Sequence, residues 1–322
     1  MTIQTSKLFE PITLQRTGVP SELSIKYYKQ RSSDGGLLIS EAVDVAKEAG
    51  CYPSVPGIYS PEQVEVWKKI TAAVHDIGGK IVCQLFASGR ATMPGVTPVD
   101  YAPSDLPLQG DHPDLVVTTE EDIERFLKHY EQAARNAMGA GFDGEEIHRA
   151  NGYLIDQFTQ PISNKRTDAY ATSTFLFPLR FTQVIVDAIG ADKVGYRISP
   201  FSRFQEVREA DPLGTFIPLV EKLLEAHPDL AFIHAVEPRT EGAGSVELAK
   251  ATDSLDPIRD IVKQKGKGTN FIVAGGIEHG WPLTPYERDT FYTQGPVGYS
   301  DYPYYSLLHQ EESYTFGVPQ VV

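Results

Sequence analysis

Six short apolar runs recur along the chain, and each is separated from the next by a longer segment of helical periodicity. The runs begin at Leu37 (LLISEA), Lys80 (KIVCQLF), Phe142 (FDGEEI), Val194 (VGYRIS), Leu230 (LAFIHAV) and Phe271 (FIVAGG). Runs this short, rich in Ile, Val and Phe and lacking a clean polar alternation, suit strands buried on both faces. Strand and helix in strict alternation specify a parallel sheet built from βαβ crossovers. No stretch of distinct composition divides the 322 residues and no internal repeat is visible, so one domain is expected over 1–322.

The helices carry their own punctuation. Ser60-Pro61 reads as an N-cap followed by proline at the first helical position, with Val64, Trp67, Ile70, Thr71 and Val74 as the inner stripe. Thr118 or Thr119, followed by acids, starts a helix that runs to about Ala140 and turns Ile123, Phe126, Tyr130, Ala133, Ala134 and Ala137 inward. Further helices are expected over Ser21 to Arg31, Phe177 to Ile189, Leu213 to Ala226 and Pro257 to Lys265. The segment from Ala87 to Val117, rich in Gly, Pro and Asp, reads as a long loop.

Charge and cysteine content narrow the function. With 29 basic and 43 acidic residues the net charge is −14, which argues against nucleic acid or an anionic membrane surface as partner. No window of about 18 apolar residues occurs, so no membrane span is expected. The N-terminus lacks an apolar core of signal-peptide length, and the two cysteines, Cys51 and Cys83, form no framework or metal-binding spacing. A cytoplasmic protein without a metal site is expected. Cys83, inside an apolar run, reads as a buried small hydrophobe.

Chemistry concentrates in residues 141–170, GFDGEEIHRANGYLIDQFTQPISNKRTDAY. His148, Asn151 and Tyr153 follow the central apolar run within six residues. Strand ends are where parallel α/β proteins hold their reacting groups. His148 and Asn151 can both donate to one oxygen, and the Tyr153 phenol can give up a proton. Such a set suits a reaction that builds negative charge on a carbonyl oxygen. On spacing alone it reads equally as a satisfied structural cluster. The polar run Asn164, Lys165, Arg166, Thr167, Asp168 favours the functional reading.

The remaining strand ends are also polar: Glu41-Ala42, Gln84, Arg197, His234 with Glu237, and Gly275-Gly276. Gln84 can bond both donors and acceptors of a planar ring. Arg197 supplies a permanent cation. The glycine pair lets a phosphate approach backbone N–H groups. Each also has a structural reading: an ion pair for Arg197, a loop cap for Gln84, a plain turn for the glycines.

The motif H-x-x-N-G-Y-L-x-x-Q-F from His148, with N-K-R-T-D-x-Y from Asn164, closely resembles the signature of the Old Yellow Enzyme family. The resemblance extends over nearly the whole chain, including GIYSPEQVEVWKKITAAVHDIGGKIVCQLF, VGYRISP, VAGG and PLTPYERDTFYTQGPVGYSDYP. It implies a TIM-type (β/α)8 barrel that binds FMN, is reduced by NADPH, and reduces the C=C bond of an enone or enal. By that likeness Ala42, Gln84, Arg197, Gly275 and Gly276 would contact FMN. His148 and Asn151 would hold the substrate carbonyl, Tyr153 would protonate the α-carbon, and Phe86 with Phe291 and Tyr292 would line the pocket. The oligomeric state stays open.

The sequence also departs from the family. QRTGVPSEL follows SKLFEPITL without the family's first strand, and EHGWPL follows VAGGI without its eighth. The expected barrel is therefore incomplete, with six recognisable strands. QLFA stands where the family has QLWH, and Ala171-Thr172 where it has a glycine pair. Two alternatives accompany the ene-reductase reading. One is a cofactor-independent isomerase or cyclase using the same carbonyl grip. The other is a non-catalytic degenerate relative.

Overall fold

The computed structural model describes residues 18–238 except 51, 54 and 111–113, the backbone of 240, 241, 244 and 245, and residues 253–275. Six strands form its main sheet: β1 (Leu37–Asp44), β2 (Lys80–Phe86), β3 (Gly144–His148), β4 (Val194–Ile198), β5 (Phe232–Val236) and β6 (Asn270–Ala274). All five neighbouring pairs are parallel, and the order in space is the order in sequence. A doubly wound sheet would reverse order at a switch point. A sequential parallel sheet is instead the arc of a (β/α) barrel. Among the described residues the arc has six strands and two edges, β1 and β6, which agrees with the incomplete barrel read from the sequence.

Helices α1 (Glu22–Arg31), α2 (Pro61–His75), α3 (Glu120–Gly139), α4 (Leu154–Thr159), α5 (Leu176–Ile189), α6 (Pro212–Ala226) and α7 (Asp256–Lys265) lead into and connect the strands. The caps are those the sequence announces. Ser60 accepts from the Gln63 amide while Gln63 answers the cap backbone, and Pro61 opens the helix. Thr119 and Asp122 form the same reciprocal pair on α3, whose first turn holds Glu120, Glu121 and Asp122 against the positive helix end.

Two strands start later than their apolar runs. The backbone N–H of Phe142 donates to the Ala137 carbonyl, so this residue closes α3, and β3 begins at Gly144. Leu230 similarly closes a turn onto His227, and β5 begins at Phe232. The Ala87-to-Val117 loop carries a two-stranded parallel ribbon, Val99–Ala102 with Asp114–Val117, which turn-forming composition hides.

Residues alternate across each strand. On the helix side, Ile147, Val194, Tyr196 and Ile233 are buried under Trp67, Phe126, Tyr130, Phe177, Phe181 and Phe216. Each such side chain contributes roughly 1.5–3 kcal/mol by burial. Glu145 shares that side, fully buried, and neither of its carboxyl oxygens has a hydrogen-bond partner among the described residues. On the other side stand two levels in register: Gln84 beside Glu146, and above them His148, Arg197 and His234. None of the described helices is long and apolar enough to cross a membrane.

Candidate active site

The upper level ends in an aromatic corner. The Tyr153 ring meets His148 edge-on at 5.0 Å and Phe86 edge-on at 5.2 Å, and Phe86 lies 6.0 Å from His148. Edge-to-face contacts of this kind add to simple burial. Phe86, Ala91 and Tyr153 form a small apolar cluster of their own, with Ala42, Tyr52, Val55 and Leu108 packed against it. Four residues singled out from the sequence (Ala42, Phe86, His148 and Tyr153) therefore share one place.

A sharp elbow delivers Tyr153. Asn151 and Gly152 both take left-handed backbone angles, φ 59° and 77°. The Asn151 N–H donates to Ser199 Oγ at 2.7 Å, and the Gly152 N–H to Asp156 Oδ2 at 2.8 Å. Gln157 donates to the Gly152 carbonyl at 2.7 Å and to the Ser88 carbonyl at 3.0 Å. Asp156 and Gln157 belong to α4, a short helix within what reads in sequence as a loop; all six of its residues are buried. Beneath it Asp156 faces Arg149 at 3.4 Å, both fully buried, and the guanidinium lies 4.1 Å over the Phe216 ring.

A Cβ at Gly152 would stand 2.8 Å from Gln205 Cβ and 2.9 Å from Val207 Cγ1. Gly152→Ala combines left-handed strain of about 1–2 kcal/mol with overpacking of about 1–3 kcal/mol. It is expected to lower the thermal midpoint clearly in a calorimetric melt. An unchanged midpoint would show that the elbow relaxes freely.

Burial, and then the charge of Arg197, hold the His148 pKa well below the usual imidazole range, so the ring is neutral at pH 7. Its Nδ1 is buried without a hydrogen-bond partner among the described residues. Arg197 stands in register with His148 on one side and His234 on the other, and its Nε also has no partner among the described residues. Burial lowers its pKa and Glu146 raises it; the group stays a cation. Gln84 donates one amide N–H to Glu146 Oε1 at 2.6 Å, which leaves its carbonyl oxygen and its second N–H on offer. Gly275 follows β6 at φ 108°, backbone suited to close approach of a ligand. Gly276, Phe291 and Tyr292 lie outside the described residues.

The polar run after the elbow serves the fold rather than the site. Asn164 donates to the carbonyls of Phe158 at 2.7 Å and Tyr170 at 2.9 Å, and Arg166 to that of Thr118 at 2.7 Å. Two neighbours of the site escaped the sequence reading. Glu146 was legible in principle, because it sits two residues before His148 on a strand. Tyr52, whose hydroxyl is 3.3 Å from that of Tyr153, gives no sequence signal across so long a separation.

Residues 7–281 match the model of the NADH:flavin oxidoreductase / NADH oxidase family. The solved structure of an old yellow enzyme homologue from Zymomonas mobilis superposes with a TM-score of 0.79 at 31% identity, covering 92% of this chain and 93% of that one. The chain is a member of the Old Yellow Enzyme family. Relatives of this Old Yellow Enzyme member include a flavin oxidoreductase from Emericella nidulans, 37% identical over 89% of this chain and 88% of the relative. Chanoclavine-I aldehyde reductase from Penicillium roqueforti is 37% identical over 91% of each chain. Similarity to 12-oxophytodienoate reductase 2 of Arabidopsis thaliana is 36% over 91% of this chain and 90% of the relative. The Emericella match runs over 349 residues while drawing on 89% of a 322-residue chain, so that relative carries internal segments this one lacks.

Proposed function

We propose that this chain is an FMN-dependent NADPH dehydrogenase that reduces the C=C bond of an enone or enal. The observation that carries the reading is the buried corner of His148, Tyr153 and Phe86, beside an Arg197 cation whose Nε has no partner among the described residues. The residues present fit a flavin. Arg197 offers a permanent charge, Gln84 a carbonyl oxygen, Ala42 a small side chain, and Gly275 a backbone suited to a phosphate. When bound, FMN would accept hydride from NADPH and deliver it to the electron-poor carbon of the double bond.

The chain's own groups supply the rest. His148, neutral by burial, keeps one ring N–H to donate, and Asn151 adds an amide donor, so both can hold the carbonyl oxygen as charge builds there. Tyr153 protonates the α-carbon. Phe86 closes the apolar side against water, and Tyr292 would complete the wall. Relatives named as 12-oxophytodienoate reductase and chanoclavine-I aldehyde reductase support a carbonyl-bearing substrate. One named as an NADP-dependent oxidoreductase, from Aspergillus flavus, supports NADPH. The reading takes the chain as a single barrel-type domain over 1–322 in the cytoplasm, which the buried free thiol of Cys83 suits.

Titrating the purified chain with FMN tests it. The expected result is saturable binding with a perturbed flavin spectrum, and NADPH oxidation that requires an enone. A colourless protein that converts the enone without NADPH would replace this reading with a cofactor-independent isomerase. A folded protein with neither behaviour would make it a non-catalytic relative.

A further inference from the structure

Glu146 is fully buried on the inner side of β3, one level below His148. Its Oε1 accepts from Gln84 Nε2 at 2.6 Å, and its Oε2 is 2.7 Å from His234 Nδ1. The two partners come from opposite sides: β2 is the adjacent strand, and β5 lies beyond β4. At that level β4 presents Gly195, so no β4 side chain separates the carboxylate from β5. Arg197 stands one level above, in register with His148 and His234, and the charge of Glu146 favours its cationic form.

A purely structural carboxylate is a poor choice here. Apolar residues of similar volume at a buried ionic position are often neutral or stabilising. Glu146 instead accepts from Gln84 and acts through its charge on Arg197, two groups assigned above to the flavin. The geometry points to Glu146 as a positioning residue that orients the Gln84 amide and balances the charge of Arg197, so that the site's preference for reduced over oxidised flavin depends on it. This inference rests on the flavin reading above.

The signs follow from charge. Arg197 favours the more negative, reduced flavin, and Glu146 opposes it. Glu146→Gln removes that opposition in nearly the same volume, and is expected to raise the preference for reduced FMN about tenfold, a midpoint potential higher by about 30 mV for a two-electron couple. Glu146→Asp keeps the charge and shortens the reach to Gln84. It is expected to leave the potential near that of the wild type while weakening oxidised FMN several-fold.

The experiment is dye-equilibrated potentiometry of FMN-loaded wild type, E146Q and E146D, with FMN titrations and melts of the flavin-free forms. An E146Q protein that binds FMN at an unmoved potential overturns the inference. So does an E146D protein whose FMN affinity matches the wild type, and that arm decides the matter should E146Q fail to fold. A wild type that takes up no FMN overturns the functional reading and this inference together. A wild type that binds FMN with both variants indifferent overturns this one alone.

Discussion

Tyr153→Phe is expected to slow enone reduction by about 10²–10⁴-fold while leaving reduction of the bound flavin by NADPH at the wild-type rate. The substitution deletes one oxygen. The ring keeps its edge-on contacts with His148 and Phe86, so the corner stays packed and the loss reports chemistry rather than folding. Rapid mixing separates the two halves: NADPH against oxidised protein, then enone against reduced protein. Equal loss in both halves would remove Tyr153 from the acid role. The Tyr52 hydroxyl, 3.3 Å from that of Tyr153, is a substitute source of a proton close at hand. The doubly substituted Tyr52→Phe, Tyr153→Phe protein should therefore fall below the single variant. If it does not, Tyr52 is a packing residue only.

That corner shows what a sequence can and cannot disclose. His148 and Tyr153 were legible together because a strand end and an N-G-Y elbow compress them into a few positions. Their convergence with Phe86 follows from strand register, since Phe86 and His148 lie at the same level of neighbouring strands. The helices were legible for a local reason: Ser60 and Thr119 make their caps with residues three positions away. The short α4 was not. Its six buried residues are fixed by distant groups, among them the Ala87 carbonyl, which receives the Leu154 N–H at 3.0 Å. The run around Asn164 misled for the opposite reason. Its polar side chains satisfy backbone carbonyls inside the protein, a use that composition cannot distinguish from ligand binding. The same blindness applies to paired acids. Glu145 and Glu146 are adjacent and alike in sequence, yet the strand pleat sends one toward the site and the other under the helices.

Glu145 should therefore destabilise the protein increasingly as pH rises. It stands in register with Cys83 and Val194, fully buried, and both carboxyl oxygens lack a partner among the described residues. Burial, followed by repulsion from Glu146, pushes its pKa well above the ordinary carboxylate range. Its surroundings offer no relief. Burial and then Glu145 raise the Cys83 thiol, and the Tyr130 hydroxyl is raised by burial, Glu145 and Asp44. Asp44 is itself raised by burial. Because the folded carboxyl holds its proton more tightly than the unfolded one, the folded state binds more protons above the ordinary carboxylate range. The stability it allows is complete below that range and is lost as pH climbs from there through the raised folded value. Glu145→Ile replaces an unsatisfied acid by an apolar side chain suited to a strand among Trp67, Phe126 and Tyr130. The gain should be about 1–3 kcal/mol, or several degrees in thermal midpoint, and larger at pH 9 than at pH 6. Asp44 remains in the variant, so the alkaline slope should flatten rather than vanish. Urea unfolding at the two pH values measures both quantities. A Glu145→Ile protein that is no more stable at pH 9 than the parent would mean that the buried carboxyl finds a partner in solution.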